Sequence, residues 1–172
     1  DQLFAPATPS ACIEILDREG IELQGLDVTI VNHSNIVGKP VALLCLNRNA
    51  SVHVVHVFSK DVPAACRQAD VLISAAPVRN LIKKDMVKPG AVVIDVTTMR
   101  GDDGKQVGSL EWEGVLEVAG SAVASAEENF RIEQKRYESA ANTSFDVLDA
   151  ETQLTTARGQ HQAAIYDYLI AK

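Results

Sequence analysis

The chain has 172 residues, of which 47% are hydrophobic, and a formal net charge of -7. The apolar content is enough to build a hydrophobic core, whereas the negative charge argues against a nucleic-acid partner, which requires a basic face. No apolar run approaches the roughly 18 residues that span a bilayer, and nothing resembles a signal peptide. Cys12, Cys45 and Cys66 lie far apart among apolar neighbours, which predicts buried thiols and a cytoplasmic protein.

The first predicted elements are a helix, a strand and a second helix. The first helix has Thr8 as its N-cap and Pro9 in its first turn, and Gly20 closes it. The apolar, β-branched run at 28–31 predicts a buried strand, and a polar break leads into a helix that ends at Leu46. A strand, a tight loop and a helix in this order predict the first crossover of a parallel sheet.

The chain continues to alternate between predicted strands and predicted helices. Strands are predicted at 51–57, 70–75, 91–96 and 116–119, a helix at 63–69, a short turn or helix at 82–87, and a hairpin-like turn at 102–105. This alternation predicts the fold class α/β, with a parallel sheet, flanking helices and right-handed crossovers.

The composition changes near residue 120. From residue 125 onward there is no proline and only one glycine, Gly159, and capping-box patterns stand at 125–128 and 143–146. We therefore predict two domains, an α/β domain at 1–120 and a two-helix unit at 121–172, which is either a hairpin or one long broken helix. Because two helices bury little surface alone, this unit is expected to pack on the α/β domain or on another subunit.

The loop after the first strand is the first candidate site. In parallel sheets, ligands bind outside the carboxyl ends of the strands, where helix N-termini present N–H groups to anions. The segment HSNIVGKP does not fit a Walker loop, because Pro40 replaces the hydroxyl residue after Lys39. It also departs from G-x-G-x-x-G, since Asn32 and Ser34 stand where glycines are expected. The pattern alone leaves open a dinucleotide loop or a polar sheet-to-helix turn.

The end of the second strand carries the second group of candidates. His56, Ser59 and Lys60 follow this strand, where such folds contact the adenosine ribose. Lys60 favours a cofactor with a 2′-phosphate, whereas Asp61 opposes it. A half-buried, hydrogen-bonded histidine explains His56 equally well.

The end of the fourth strand carries the last candidates. Asp95 is followed by Thr97 and Thr98, and its carboxylate fits either a functional role or capping of nearby N–H groups. No Ser/His/Asp or Cys/His arrangement and no metal-ligand cluster has usable spacing, so we predict no catalytic or metal-binding residue.

Residues 8–119 resemble the NAD(P)-binding domain of bifunctional methylenetetrahydrofolate dehydrogenase/cyclohydrolase, the FolD family. The resemblance rests on HSNIVGKPVALL, ASVHVVHVFSKDV, ADVLISAA and IKKDMVKPGAVVIDV, in this order. It implies a Rossmann-like domain that binds NADP or NAD. The cofactor-binding positions that it implies, together with the candidates above, are Asn32, His33, Ser34, Gly38, His56, Ser59, Lys60, Thr97 and Thr98.

Four positions depart from the family pattern. Asn32, Pro77 and Thr97 stand where the family has glycines, and Ser109 stands where its G-D-V motif has a carboxylate. A side chain at a glycine position fills space or restricts the backbone where a cofactor approaches. The family's catalytic tyrosine and lysine have no counterpart here, so the resemblance implies a cofactor-binding domain without turnover of its own.

The tail resembles a different family. Its R-Y, T-S-x-D-V-L-D-A and A-x-x-D-Y-L patterns are similar to the closing helical repeat of TolC-like outer-membrane efflux channels. Two unrelated pieces that meet near residue 120 suggest a chimera. The alternative function is therefore a non-enzymatic scaffold, with a degenerate cofactor site and a helical tail that drives homo-oligomerisation.

Overall fold

The computed structural model describes residues 6–101, 104, 106–118 and 148–155. The helices are α1 (Ala7–Arg18), α2 (Gly38–Leu46) and α3 (Val62–Gln68), with a 3-10 helix at Lys84–Met86. The strands are β1 (Asp27–Val31), β2 (Ser51–Val55), β3 (Val71–Ser74), β4 (Val92–Asp95), β5 (Met99–Arg100) and β6 (Gln106–Val107). Residues 112–118 and 148–155 are also helical.

Strands β1 to β4 form one parallel sheet in the order β2-β1-β3-β4. Val28 in β1 is level with Val52 in β2 and Val71 in β3, and Val71 is level with Val92 in β4. The chain moves outward from β1 to β2 and then returns to the other side of β1 for β3. The direction in which successive strands are added to the sheet therefore reverses between β1 and β3. Open α/β sheets form their ligand crevice at such a winding reversal. The predicted α/β fold with a parallel sheet is confirmed.

The central strands are apolar on both faces because helices cover both faces of the sheet. Successive side chains of a strand point to opposite faces, so each strand contributes to two cores. One core contains the inner sides of α1 and α2, and the other contains residues of α3 and the 3-10 helix together with Leu110 and Val115. The strand residues of the first core are Val28, Ile30, Val71, Ile73, Val92 and Ile94, and those of the second are Val31, Val55, Leu72 and Val93.

Among the α-helices and the strands of the parallel sheet, two predicted ends differ from the structure by two residues, and the others agree to within one. Helix α1 begins at Ala7 with Pro6 as N-cap and without a side-chain cap, so Thr8 is not the N-cap. The carbonyl oxygen of Pro6 already accepts from the Ser10 N–H at 3.1 Å, which starts the helix earlier. Strand β2 ends at Val55, because its partner β1 ends at Val31, level with Val55.

The strand predicted at 116–119 is also wrong. Residues 112–118 are helical, and Ala119 lies outside the described residues. The Val115 N–H donates to the Glu111 carbonyl at 3.1 Å, an i to i−4 bond, and Val115 is buried in the second core. A short apolar run fits a strand or one side of a helix equally well, and packing selects the helix here.

Three of the four residues of the turn predicted at 102–105 lie outside the described residues; on either side of that stretch, β5 and β6 pair antiparallel, with Met99 level with Val107 and Arg100 level with Gln106. The boundary at residue 120 and most of the predicted two-helix unit lie outside the described residues. Within that unit, residues 148–155 are helical, and Ala150 and Leu154 are buried.

Candidate cofactor-binding site

Asn32 follows β1 with a φ of 138°, a backbone region that glycine adopts more easily than any L-residue. Its side chain forms two hydrogen bonds, one as acceptor and one as donor. The Oδ1 atom accepts from the Ser34 N–H at 2.9 Å, and the Nδ2 group donates to the Ala75 carbonyl at 2.5 Å. Asn32 therefore connects the loop after β1 to the loop after β3, across the point where the winding reverses. These two bonds offset the strain that a glycine would avoid.

The start of α2 packs closely against this loop. A Cβ on Gly38 would overlap the Asn32 carbonyl oxygen and would lie 3.1 Å from the His33 Cα, so only glycine fits there. The Ser34 hydroxyl accepts from the N–H groups of Val37 and Gly38, both at 3.2 Å, at the point where the helix begins. These two N–H groups therefore have an acceptor within the loop.

The loop after β2 is a tight turn around His56. The Ser59 hydroxyl accepts from the His56 N–H at 3.0 Å, and the Ser59 N–H donates to the His56 carbonyl at 2.8 Å. The Phe58 N–H donates to His56 Nδ1 at 3.2 Å, which assigns the proton of the neutral ring to Nε2. This turn leaves Val57 and Phe58 85% and 83% exposed.

The structure brings the two predicted histidines together. The ring centroids of His33 and His56 are 4.2 Å apart, with an interplanar angle of 34°. The Phe58 ring meets His56 edge-on, with centroids 6.0 Å apart. The contact arises because β1 and β2 are neighbours whose last residues are level. Lys60 is exposed in the same loop as His56.

Thr97 and Thr98 lie further along the same edge of the sheet. The Thr97 hydroxyl donates to the Ala76 carbonyl at 3.2 Å, which connects the loops after β4 and β3, and Thr98 is exposed. Strand β3 separates β4 from β1. In the described part of the chain, no bond or ring contact joins these threonines to the two histidines.

Asp95 caps backbone groups, which is one of the two roles that its position predicted. One carboxylate oxygen accepts from the Thr97 N–H at 2.9 Å and the Ser109 hydroxyl at 3.0 Å. The other accepts from the N–H groups of Ser109 at 2.6 Å and Leu110 at 3.2 Å. The buried hydroxyls of Ser109 and Ser74 are 2.6 Å apart. The carboxylate therefore holds residues 109–110 against the end of β4, and the Ser74–Ser109 hydroxyl pair holds them against the end of β3.

Sequence reasoning missed the part played by Ala75 and Ala76. Their backbone carbonyls accept from Asn32 and Thr97 and connect three loops. An alanine side chain carries no polar group, so the sequence contains no signal for this role.

The remaining chemistry of the described residues is limited. Cys12, Cys45 and Cys66 are buried thiols, and burial raises the pKa of Cys45 and of Cys66 to about 11. Residues 6–101, 104, 106–118 and 148–155 contain no group of three or more His, Cys, Asp or Glu side chains that could hold a metal ion. None of the helices in these ranges is long and apolar enough to cross a membrane.

An open parallel sheet with polar loops beside its winding reversal defines a doubly wound α/β domain, whose ligand crevice lies at that reversal. Residues 6–125 match a family model described as tetrahydrofolate dehydrogenase/cyclohydrolase, NAD(P)-binding domain. The chain therefore belongs to this family through that domain, as the sequence motifs predict.

Named relatives agree with this assignment. The bifunctional protein FolD of a Polaromonas species is 48% identical over 117 residues, which cover 68% of this chain and 42% of that protein. The protein of the same name from Ruminiclostridium cellulolyticum is 47% identical over 116 residues, 67% of this chain and 41% of that protein. The chain thus matches about two fifths of the length of these curated relatives.

Solved structures confirm the Rossmann-like fold. The FolD enzyme of Campylobacter jejuni superposes with a TM-score of 0.65 at 30% identity, covering 96% of this chain and 52% of that one. The Trypanosoma brucei FolD enzyme, solved with NADP and an inhibitor, gives a TM-score of 0.59 at 23% identity, covering 94% and 52%. These comparisons lend no support to the TolC-like resemblance of the tail or to a chimera, and both stay predictions.

Proposed function

We propose that residues 1–120 bind NADP, or NAD, at the carboxyl edge of β1, β2 and β4. We also propose that the 172 residues do not turn over a folate substrate on their own. Membership of a family defined by an NAD(P)-binding domain supports the first part. A neighbour of the same fold that was solved with NADP supports it further.

The observation that carries the proposal is the surface formed by the loops after β1 and β2. The two imidazole rings are in contact there, and the strongly exposed Val57 and Phe58 follow them. Binding sites for flat heterocycles combine apolar and aromatic surface with a few placed polar groups. The ends of the first two strands are where α/β nucleotide-binding domains hold the adenosine half of the cofactor.

The predicted site residues divide into two groups by their contacts. One group shapes the loops through hydrogen bonds or close packing, and it comprises Asn32, Ser34, Gly38, Ser59 and Thr97. The other group is exposed or half-buried and is available to contact a ligand: His33, His56, Lys60 and Thr98. We assign phosphate and ribose contacts to this second group.

Two observations support the proposed absence of turnover by these residues alone. The relatives are bifunctional proteins, and the match covers 42% of the first of them. Within the matched domain, the Asp95 carboxylate and the Ser109 hydroxyl are hydrogen-bonded to each other. The Cys45 and Cys66 thiols, whose pKa is raised by burial, are not poised as nucleophiles.

Calorimetric titration with NADP+ and with NAD+ tests the binding. Ser34→Ala removes the hydroxyl that accepts from the Val37 and Gly38 N–H groups at the start of α2, and it is expected to weaken binding several-fold. Ser51→Ala is the matched control, because Ser51 is exposed at the other end of the sheet, at the start of β2. Absence of heat and of a thermal shift at millimolar concentrations of either cofactor would end the proposal. A methylenetetrahydrofolate-dependent rise in NADPH absorbance above background would contradict the second part.

We further propose that residues 121–172 form a separate helical unit that packs on the α/β domain or on a second copy of the chain. The burial of Ala150 and Leu154, beside the exposed Leu148, Asp149 and Glu151, supports a packed helix face. Removing residues 121–172 is expected to lower the melting temperature or the number of chain copies per particle in solution. A shortened chain with neither change would refute this part.

A further inference from the structure

A row of hydrogen bonds crosses the carboxyl edge of the sheet, and we call the residues that form it the strap: Asn32, Ala75, Ala76 and Thr97. The Asn32 Nδ2 group donates to the Ala75 carbonyl at 2.5 Å, and the Thr97 hydroxyl donates to the Ala76 carbonyl at 3.2 Å. The strap therefore ties the loop after β3 to the loops after β1 and β4. Its bond from Asn32 spans the winding reversal, where open α/β sheets form their ligand crevice.

The backbone donors beside the strap already have acceptors. In doubly wound domains the diphosphate of a dinucleotide lies at the first strand-to-helix loop and accepts from backbone N–H groups there. Here the Ser34 N–H donates to Asn32 Oδ1 at 2.9 Å. The Val37 and Gly38 N–H groups donate to the Ser34 hydroxyl, and the N–H of the next residue donates to the Ser34 carbonyl at 3.0 Å. A diphosphate therefore meets four N–H groups that are bonded within the loop.

The Asn32 side chain is separable from the shape of the loop. Its φ of 138° suits glycine and strains a residue that has a Cβ, so a glycine at this position keeps the backbone path. Gly38 packs against the carbonyl of Asn32 and not against its side chain. The half-buried carboxamide is therefore the one part of Asn32 that occupies the Ser34 N–H and bridges to Ala75.

We propose that the Asn32 side chain closes the crevice to the diphosphate of a dinucleotide, so that this chain binds an adenine mononucleotide about as tightly as the whole cofactor. This inference rests on the proposed function and refines its ligand class. The surface formed by His33, His56 and Phe58 follows β1 and β2, and the Asn32 bridge runs from the end of β1 toward β3. A single nucleotide can use that surface alone, whereas a dinucleotide has to pass the Asn32 side chain to extend toward β4.

The size of the effect follows from the two bonds that a diphosphate has to break. A phosphate oxygen can replace Asn32 Oδ1 as the acceptor of the Ser34 N–H, but the Ala75 carbonyl then loses its donor. The loss of such bonds raises the dissociation constant by about tenfold. The phosphate of a mononucleotide is at the end of the molecule and can turn toward solvent, so its binding leaves both bonds of Asn32 intact.

The test is calorimetry with adenosine 5′-monophosphate, ADP-ribose and NAD+, with the monophosphate as the reference for the adenosine half. In the unaltered chain we expect the three affinities to be about equal. In Asn32→Gly we expect the affinities for ADP-ribose and NAD+ to rise by about tenfold, while the affinity for the monophosphate stays the same. ADP-ribose carries the diphosphate without the nicotinamide, so a gain that it shares with NAD+ assigns the effect to the diphosphate.

Asn49→Gly is the matched control. Asn49 also has a positive φ, of 60°, and it is exposed in the turn between α2 and β2, at the opposite edge of the sheet. The variant makes the same exchange away from the strap, so all three affinities should stay unchanged. Asn32→Asp keeps the side-chain size and the acceptor for the Ser34 N–H, and it adds a negative charge that opposes a diphosphate, so it should show no gain. Circular dichroism and the melting temperature establish that each variant is folded.

The outcomes separate this inference from the proposed function. An unaltered chain that binds NAD+ more than about tenfold tighter than the monophosphate would overturn closure by Asn32 and leave the proposed function standing, whether or not Asn32→Gly folds. A folded Asn32→Gly with no gain, or with equal gains for all three probes, would overturn the closure as well. Absence of binding of every probe to both chains would overturn both proposals. Binding of NAD+ to Asn32→Gly alone would support the closure and overturn the proposed function of the unaltered chain.

Discussion

Replacing Asp95 with asparagine tests whether this carboxylate holds the end of the sheet together. The substitution keeps the shape of the side chain and removes one acceptor oxygen and the charge. In the native chain the two oxygens accept four hydrogen bonds, from Thr97, Leu110 and two groups of Ser109. The amide of asparagine has one acceptor oxygen and one donor group, so it cannot satisfy all four donors.

The magnitude follows from the best orientation of the amide. In this orientation the oxygen of Asn at position 95 accepts from the Ser109 and Leu110 N–H groups. Its NH2 group then faces the Thr97 N–H, which loses its acceptor. The Ser109 hydroxyl has to rotate, because the NH2 group cannot accept from it. Hydrogen bonds to a charged group contribute about 1.5–3 kcal/mol each, against about 1 kcal/mol for neutral pairs. One lost bond and two weakened bonds together give roughly 3 kcal/mol. This is a large part of the about 5–15 kcal/mol that stabilises a typical domain.

Equilibrium unfolding in urea, followed by circular dichroism, measures the effect. Asp61→Asn is a matched control with the same change of charge. Asp61 accepts one bond, from the Ala64 N–H at the start of α3, and asparagine caps helices equally well. We expect Asp95→Asn to unfold at clearly lower urea and Asp61→Asn to stay close to the unaltered chain. Equal unfolding midpoints for the two variants would refute the reasoning.

Three further predictions concern a surface carboxylate, a buried thiol and a glycine. Burial disfavours the ionised form of Asp70, but hydrogen bonds from the Lys88 ammonium and a backbone N–H outweigh it and hold its pKa below the usual range. The contribution of Asp70 to stability is therefore present above the ordinary aspartate pKa and lost as pH falls. Asp70→Asn should make the unfolding free energy depend less on pH between about pH 5 and pH 3. An unchanged dependence on pH in this variant would contradict the prediction. Because burial raises the pKa of Cys66 to about 11, a disulfide reagent should label it slowly in the native chain and rapidly in urea, and fast native labelling would be the opposing result. Gly108→Ala should destabilise the chain, since a Cβ there overlaps the carboxylate at the end of β4, whereas Gly114→Ala meets the flexible Lys84 side chain at 3.2 Å and should have little effect on the melting temperature.

Much of the fold was predictable because its signals are local. The apolar runs gave the four parallel strands, and the polar breaks after them gave the loops that form the candidate site. The strand predicted at 116–119 failed because a short apolar run carries no reliable periodicity. The N-cap at Thr8 failed because the backbone of Pro6 had already started the helix.

The amino-acid sequence by itself determined the α/β alternation, the family, and the positions of polar residues at the carboxyl ends of the strands. Only the tertiary structure decided which of these residues meet: His33 with His56, Asn32 with Ala75, and Asp95 with Ser109. The physical reason is that each contact depends on strand order and register, which place residues from separate loops side by side. Local patterns fix where a strand ends, but only the packed sheet fixes which strand ends are neighbours.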